Sequence, residues 1–148
     1  MKKFKLVALV LAVVMLTACF VGCEKKEKVI VNVTVSVIAN DEVMFGPVAV
    51  TLEGDAENPP TILQCVQEAF ILNDVPHEND EMAITSINNL ADKEEGEYTY
   101  WWDYTINGAA PASGRAGTIA AQEGDVIVYT YTQVLTQELI DAEDAGED

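Results

Sequence analysis

Basic and metal-binding residues are scarce in this 148-residue chain, which has one arginine (Arg115), one histidine (His77) and three cysteines. A Ser–His–Asp arrangement needs a serine held against a histidine, and Ser36, Ser86 and Ser113 lie in no nucleophile motif. His77 follows Pro76 in a polar stretch and is expected to be a surface loop residue. One histidine and one cysteine in an apolar segment, Cys65, do not make a zinc site. An even set of cysteines at disulfide spacing is missing. No glycine-rich phosphate loop is present, since Gly114-Arg115-Ala116-Gly117 is too short for one. No loop has the D-x-D-x-D-G spacing of a calcium site. No catalytic residue, metal or cofactor is therefore expected, and the chain is read as a binding protein rather than an enzyme.

Positive charge is the next deficit. Eight basic residues face 25 acidic ones, a formal net charge of −17. That balance excludes nucleic acid as a partner, because nucleic-acid binders set basic patches against phosphates. It favours solubility and repulsion from anionic surfaces. Six of the acids fall in residues 138–148, read as a solvated acidic tail over 136–148.

Long apolar runs are confined to the N-terminus. Lys2, Lys3 and Lys5 precede an apolar segment, residues 6–16, too short for a spanning helix of ~20 residues. The segment ends Leu16-Thr17-Ala18-Cys19, which resembles the bacterial lipobox. Residues 1–18 are accordingly expected to be a lipoprotein signal peptide, with Cys19 the lipidated residue. Cys23 is a poorer second candidate, because Phe20 stands where the lipobox prefers leucine. Two acyl chains would anchor the chain stably to the extracytoplasmic face of a cell membrane. Residues 19–29, with the run Glu24-Lys25-Lys26-Glu27-Lys28, bury nothing and are read as a tether. Residues 30–135 are left as one domain of ordinary size.

Within that domain, valines alternate with small polar residues from Val29 to Ile38, as in a half-buried strand. Asn40-Asp41 marks a turn, and residues 48–52 a second strand. Thr61 and Gln64 form the capping box of a helix of about three turns, with Ile62, Val66, Ala69 and Phe70 on one face. Asn73, Asp74 and Pro76 stop it. Residues 82–87 read as a strand and residues 94–97 as a turn. Tyr98 to Ile106 alternates as a strand, and Asn107-Gly108 is a hairpin signal. Gln122 to Asp125 turns into a last strand over 126–132. One helix on the valine face of a sheet makes an α+β domain. Both tryptophans lie in the aromatic strand. Trp102 shares a side with Tyr98, Tyr100, Tyr104 and Ile106 and is assigned to the core. Trp101 shares its side with Thr99, Asp103 and Thr105 and is the candidate exposed contact, suited to a flat apolar ligand; the alternative is that both tryptophans are simply packed.

Four segments in order, residues 61–69, 85–90, 102–108 and 124–127, resemble the DUF4430 family, a domain related to the C-terminal domain of transcobalamin and intrinsic factor. The matching motifs include Trp102-Asp103-Tyr104-Thr105-Ile106-Asn107-Gly108 and Gly124-Asp125-Val126-Ile127. The chain departs from the pattern at Asn89, where many members carry glycine. The resemblance implies a β-grasp-like fold, a mixed sheet packed on one main helix. It also implies a corrinoid ligand such as cobalamin. In the vertebrate carriers this domain forms one wall of the cobalamin site and a helical domain forms the other. The candidate contacts here are Trp101 and the loop 109–117, with Pro111, Ser113 and Arg115. No helical domain is read in this sequence, so the domain is expected to bind weakly alone, to need a surface protein or transporter partner, or to bind something else. The alternative is a cell-surface interaction or adhesion module without a small-molecule ligand.

Overall fold

In the first strand, β1 (Lys28–Ala39), the alternating valines do what their period requires. Val31, Val33, Val35 and Val37 are buried, while Asn32 is exposed. The strand begins at Lys28, inside the stretch expected to be tether. The computed structural model describes residues 27–136. The expected signal peptide, Cys19, Cys23, most of the tether and the acidic tail lie outside the described residues.

Asn40 and Asp41, both at positive φ, turn the chain into β2 (Glu42–Asp55). This strand is much longer than residues 48–52. Gly46 and Pro47 lie within it, and an edge strand tolerates proline. The pairing register shifts between Val35↔Val48 and Val37↔Phe45, and the extra residues form a bulge. Gly46 is required there: its φ is +81°, and a Cβ would stand 2.4 Å from the Val35 carbonyl oxygen.

Helix α1 (Ile62–Leu72) follows. Its capping box is complete: the Gln64 amide N–H donates to Thr61 Oγ1, and the Thr61 N–H donates to Gln64 Oε1. Ile62, Leu63, Cys65, Val66, Ala69 and Phe70 are all buried. Beyond the helix, β3 (His77–Asn79), β4 (Ile84–Ile87) and β5 (Leu90–Ala91) form a small antiparallel sheet. Two strands of β-structure thus replace expected loop. His77 is one of the residues concerned. It is half-buried in β3, with its ring 5.2 Å from that of Phe70, rather than a surface loop residue.

Strands β6 (Lys93–Glu95), β7 (Tyr98–Ile106) and β8 (Val126–Leu135) complete the main sheet, in the order β2-β1-β8-β7-β6. The central pair β1–β8 is parallel and the other pairs are antiparallel. The chain is therefore a mixed α+β domain with two sheets and, among the described residues, one short helix. Asn107-Gly108 makes a tight turn, but it opens no hairpin between long strands. The chain closes on itself at Ala109, through reciprocal bonds with Ile106, and β8 returns only after a loop. The core lies between the helix and one face of the main sheet, and all its buried residues fall between Val31 and Tyr129.

Candidate ligand-binding site

Pairing fixes which way each side chain of β7 points. Trp102 stands opposite Tyr131, Tyr104 opposite Tyr129 and Ile106 opposite Ile127, so these six share the core face. Trp102 is 7% exposed, and its indole Nε1–H donates to the Leu90 carbonyl at 2.7 Å. That bond ties the small sheet to the large one. Trp101 stands opposite Thr132, on the other face, and is half-buried.

The loop from Ala109 to Ala120 lies on the core side, where it seals the start of the helix. The first turn of a helix has amide N–H groups without intrahelical partners. Here Ile62 N–H donates to the Ile119 carbonyl and Leu63 N–H to the Ala116 carbonyl, each at 2.9 Å. Ala116 is fully buried. Gly117 N–H donates to the Met82 carbonyl at 2.9 Å, which anchors the loop to the segment before β4. Pro111 is half-buried, and Ser113 and Arg115 are exposed. The Arg115 backbone is held by Thr118, whose hydroxyl donates to the Arg115 carbonyl. Its guanidinium helps hold the Asp80 carboxyl below the usual range, after the larger effect of the Met82 and Ala83 N–H groups that donate to it. Pro111, Ser113 and Arg115 thus belong to one loop. Trp101 does not join them: it faces the opposite side of the sheet, roughly 16 Å of strand away from the Ile106 end at ~3.3 Å per residue.

Among the described residues, two clefts are formed by residues other than these predicted contacts. The larger, about 460 Å³, opens where β1 ends. Pairing of β1 with β8 stops at Ile38↔Thr130, while β8 runs on to Leu135. The cleft lies between that extension and the β1–β2 turn, lined by Asn40, Asp41, Tyr100, Thr130, Tyr131 and Gln133. Its aromatic part is held in place. The Tyr100 and Tyr131 rings lie near-parallel, 5.8 Å apart, and Trp102 packs on Tyr131 at 4.9 Å. The Tyr131 hydroxyl donates to the Ala91 carbonyl at 2.7 Å. Lys93 Nζ sits 4.9 Å from the Tyr100 ring centre and is itself paired with Glu95. A smaller cleft, about 140 Å³, lies between β2 and the end of the helix, lined by Met44, Phe45, Asp74, Val75, Pro76 and Asn88. Sequence reasoning missed the larger cleft because its residues come from three separated segments. The one signal available was the alternation that sets Tyr100 beside Trp102.

Burial raises the pKa of one thiol and two phenols on the core side. The Cys65 thiol is pushed up to about 11, chiefly by desolvation and then by the Asp125 charge. Desolvation also raises the Tyr104 and Tyr129 phenols. These two rings stack 5.3 Å apart, and neither hydroxyl has a hydrogen-bond partner among the described residues. No group of three or more His, Cys, Asp or Glu side chains is placed to hold a metal ion among the described residues.

Residues 60–133 match the sequence profile of DUF4430, a domain of unknown function. Among solved structures, haptocorrin in complex with Cbi superposes on 72% of this chain with a TM-score of 0.53, at 19% identity. The superposed part is 26% of haptocorrin, so the chain spans about a quarter of that protein's length. At that identity the likeness is one of fold. A candidate metal-binding protein from Ruminococcus gnavus aligns with 70% of this chain and 98% of its own, at 20% identity and a TM-score of 0.44. No curated protein matches the sequence.

Proposed function

The chain belongs to the DUF4430 family, and we propose that it is a ligand-binding domain, lipid-anchored through Cys19 on the extracytoplasmic face of a cell membrane, whose ligand is a corrinoid. The observation that carries the reading is the fold shared with haptocorrin, a protein solved with Cbi bound. The strand order β2-β1-β8-β7, with a parallel central pair and the helix on one face, supports a β-grasp assignment. Trp101 is proposed as the ring contact on the open face of the sheet. Pro111, Ser113 and Arg115 lie on the other side of the sheet and cannot touch the same ring, so the loop 109–117 is proposed only as a separate, alternative contact surface. A surface protein or transporter that closes over the domain would complete the site, as a second wall does in the vertebrate carriers.

The test is a tryptophan-quenching titration of the soluble fragment 24–148, which retains every buried core residue. Cobinamide is expected to quench saturably, and Trp101→Ala is expected to weaken binding. Equal binding by wild type and Trp101→Ala would sink the site assignment. Anchoring is checked separately: Cys19→Ala should release the full-length protein from the membrane fraction, and continued membrane attachment would argue against lipidation at that residue.

A second reading, a surface-protein interaction module, draws on the outer edge of β2. This edge strand is 14 residues long and carries Val43 at 64% exposure. A long exposed edge is a template for strand addition by a partner chain.

A further inference from the structure

The smaller cleft, between β2 and the end of the helix, has the dimensions of a single side chain. We propose that it is the anchor pocket of a protein-interaction surface, which takes one leucine- or phenylalanine-sized side chain from a basic segment of a partner protein. Its volume of about 140 Å³ is well below the ~300 Å³ at which small-molecule sites begin, and close to the ~150 Å³ that holds a benzene ring. Met44, Phe45, Val75 and Pro76 supply apolar walls. These walls are fixed before any partner arrives. The Phe45 ring stands edge-on to Phe70 at 5.5 Å, the Val75 N–H donates to the Phe70 carbonyl at 2.9 Å, and the Asn88 N–H donates to the Pro76 carbonyl at 2.7 Å. Fixed walls reduce the ordering cost of binding. Apolar surface is also exposed in the adjoining last turn of the helix, where Ile71 and Leu72 are each 62% accessible. A well-packed pocket for one anchor, with apolar groups beside it to exclude water, is the arrangement of a binding hot spot.

Charge selects the partner. Asp74 lines the cleft, and Glu42 shares the face that Phe45 presents to the helix, since Glu42 pairs with Ala39 and Phe45 with Val37. Both acids are exposed, and neither forms an ion pair among the described residues. The Lys and Arg side chains among the described residues are placed elsewhere: Lys28 pairs with Glu53, Lys93 pairs with Glu95, and Arg115 sits in the loop 109–117 and acts on Asp80. An apolar anchor with lysine or arginine neighbours therefore meets unpaired carboxylates, whereas an acidic segment or an anionic membrane is repelled. The same charges disfavour occupants from this chain itself. A second copy would bring a net charge of −17 and the same acidic rim, and residues 138–148 carry Leu139 and Ile140 among six acids. Access is open as well. Phe45 pairs with Val37, nine residues and roughly 30 Å of strand from Lys28 at ~3.3 Å per residue, so the segment that precedes β1 enters at the far end of the sheet. The anchor rests on the interaction-module reading given above, but needs no strand added at the β2 edge.

The experiment is a titration of the full chain with capped pentapeptides, a central leucine or phenylalanine with two lysines on each side, followed by amide chemical shifts. At least one of the two peptides is expected to bind saturably, with shifts centred on residues 44–45, 72–75 and 88. A central alanine should weaken binding about tenfold or more, the loss anticipated for one buried apolar side chain. Glutamates in place of the lysines should abolish binding. Asp74→Asn is expected to weaken the lysine peptides about threefold and to reduce their salt dependence. Asparagine adopts the Asp74 φ of 53° as readily as aspartate, so this change leaves the backbone unstrained. Trp101→Ala should leave peptide binding unchanged, which separates this surface from the corrinoid contact. The proposal is overturned if neither peptide shifts the cleft residues at about 10 mM, where a Kd of ~1 mM would be visible. Shifts confined to residues 48–52 would support strand addition at the β2 edge and overturn the anchor. Shifts at the cleft on dilution of the chain alone, or on removal of residues 137–148, would assign it to a second copy or to the tail and overturn the proposal equally. The first two of these readouts come from the unmodified chain, so they do not depend on how well a variant folds.

Discussion

At the scale of single residues, the two adjacent tryptophans do different work. Trp102 fills the core face and hydrogen-bonds to Leu90, so Trp102→Ala should cost ~3–5 kcal/mol in urea unfolding. Trp101→Ala should cost about 1 kcal/mol or less, since no ring contact or hydrogen bond of its side chain is found among the described residues. Equal losses would contradict the assignment of faces. That division was legible in the sequence, because alternation within a strand has only two faces to choose from. The stacked phenols of Tyr104 and Tyr129 were not legible, since cross-strand neighbours depend on register. Tyr129→Phe removes a buried hydroxyl that has no partner among the described residues and should stabilise the fold by about 1 kcal/mol. Cys65 provides a pH test. Its thiol holds its proton more tightly in the folded state, with a pKa of about 11 against the ordinary 9.0. Its contribution to stability is therefore intact below pH 9 and lost as the pH rises through 11. Cys65→Ala should flatten the decline of stability in that window, and an unchanged slope would mean that other groups cause it.

At the scale of elements, the helix depends on both of its neighbours in sequence and on a loop far from it. The capping box was readable from Thr61 and Gln64, because its residues are three apart and act locally. Thr61→Ala should cost about 1 kcal/mol. The carbonyls of Ala116 and Ile119 that complete the helix start were not readable, because nothing local pairs residues more than fifty apart. Gly117 tests this second support. A Cβ there would stand 2.3 Å from the Glu81 carbonyl oxygen, so Gly117→Ala must push the loop away from the segment before β4 and disturb its bonds to the helix start. A loss of ~1–3 kcal/mol is expected, with faster amide exchange at Ile62 and Leu63. Unchanged exchange at those amides would show that the loop does not hold the helix end. The short strands β3 and β5 were hidden for a related reason. His77–Asn79 and Leu90–Ala91 are too short for periodicity to register, and only their pairing with β4 makes them strands. Asn107-Gly108 misled in the other direction, since a turn signal does not state how far the following chain remains paired.

At the scale of the whole molecule, the parallel pairing of β1 with β8 joins the two ends of the described chain through the centre of the sheet. The fold class was legible from one helical and several alternating segments, but the second sheet and the cleft at the end of β1 were not. Both arise from where strands stop, which side-chain patterns mark poorly. Corrinoid binding by this domain is decided by calorimetric titration of fragment 24–148 with cobalamin and cobinamide. Saturable heat is expected with at least one of them, competed by excess of the same corrinoid and reduced in Trp101→Ala. Absence of heat and of any shift in tryptophan emission, with the fragment folded and the ligand in excess, would refute corrinoid binding.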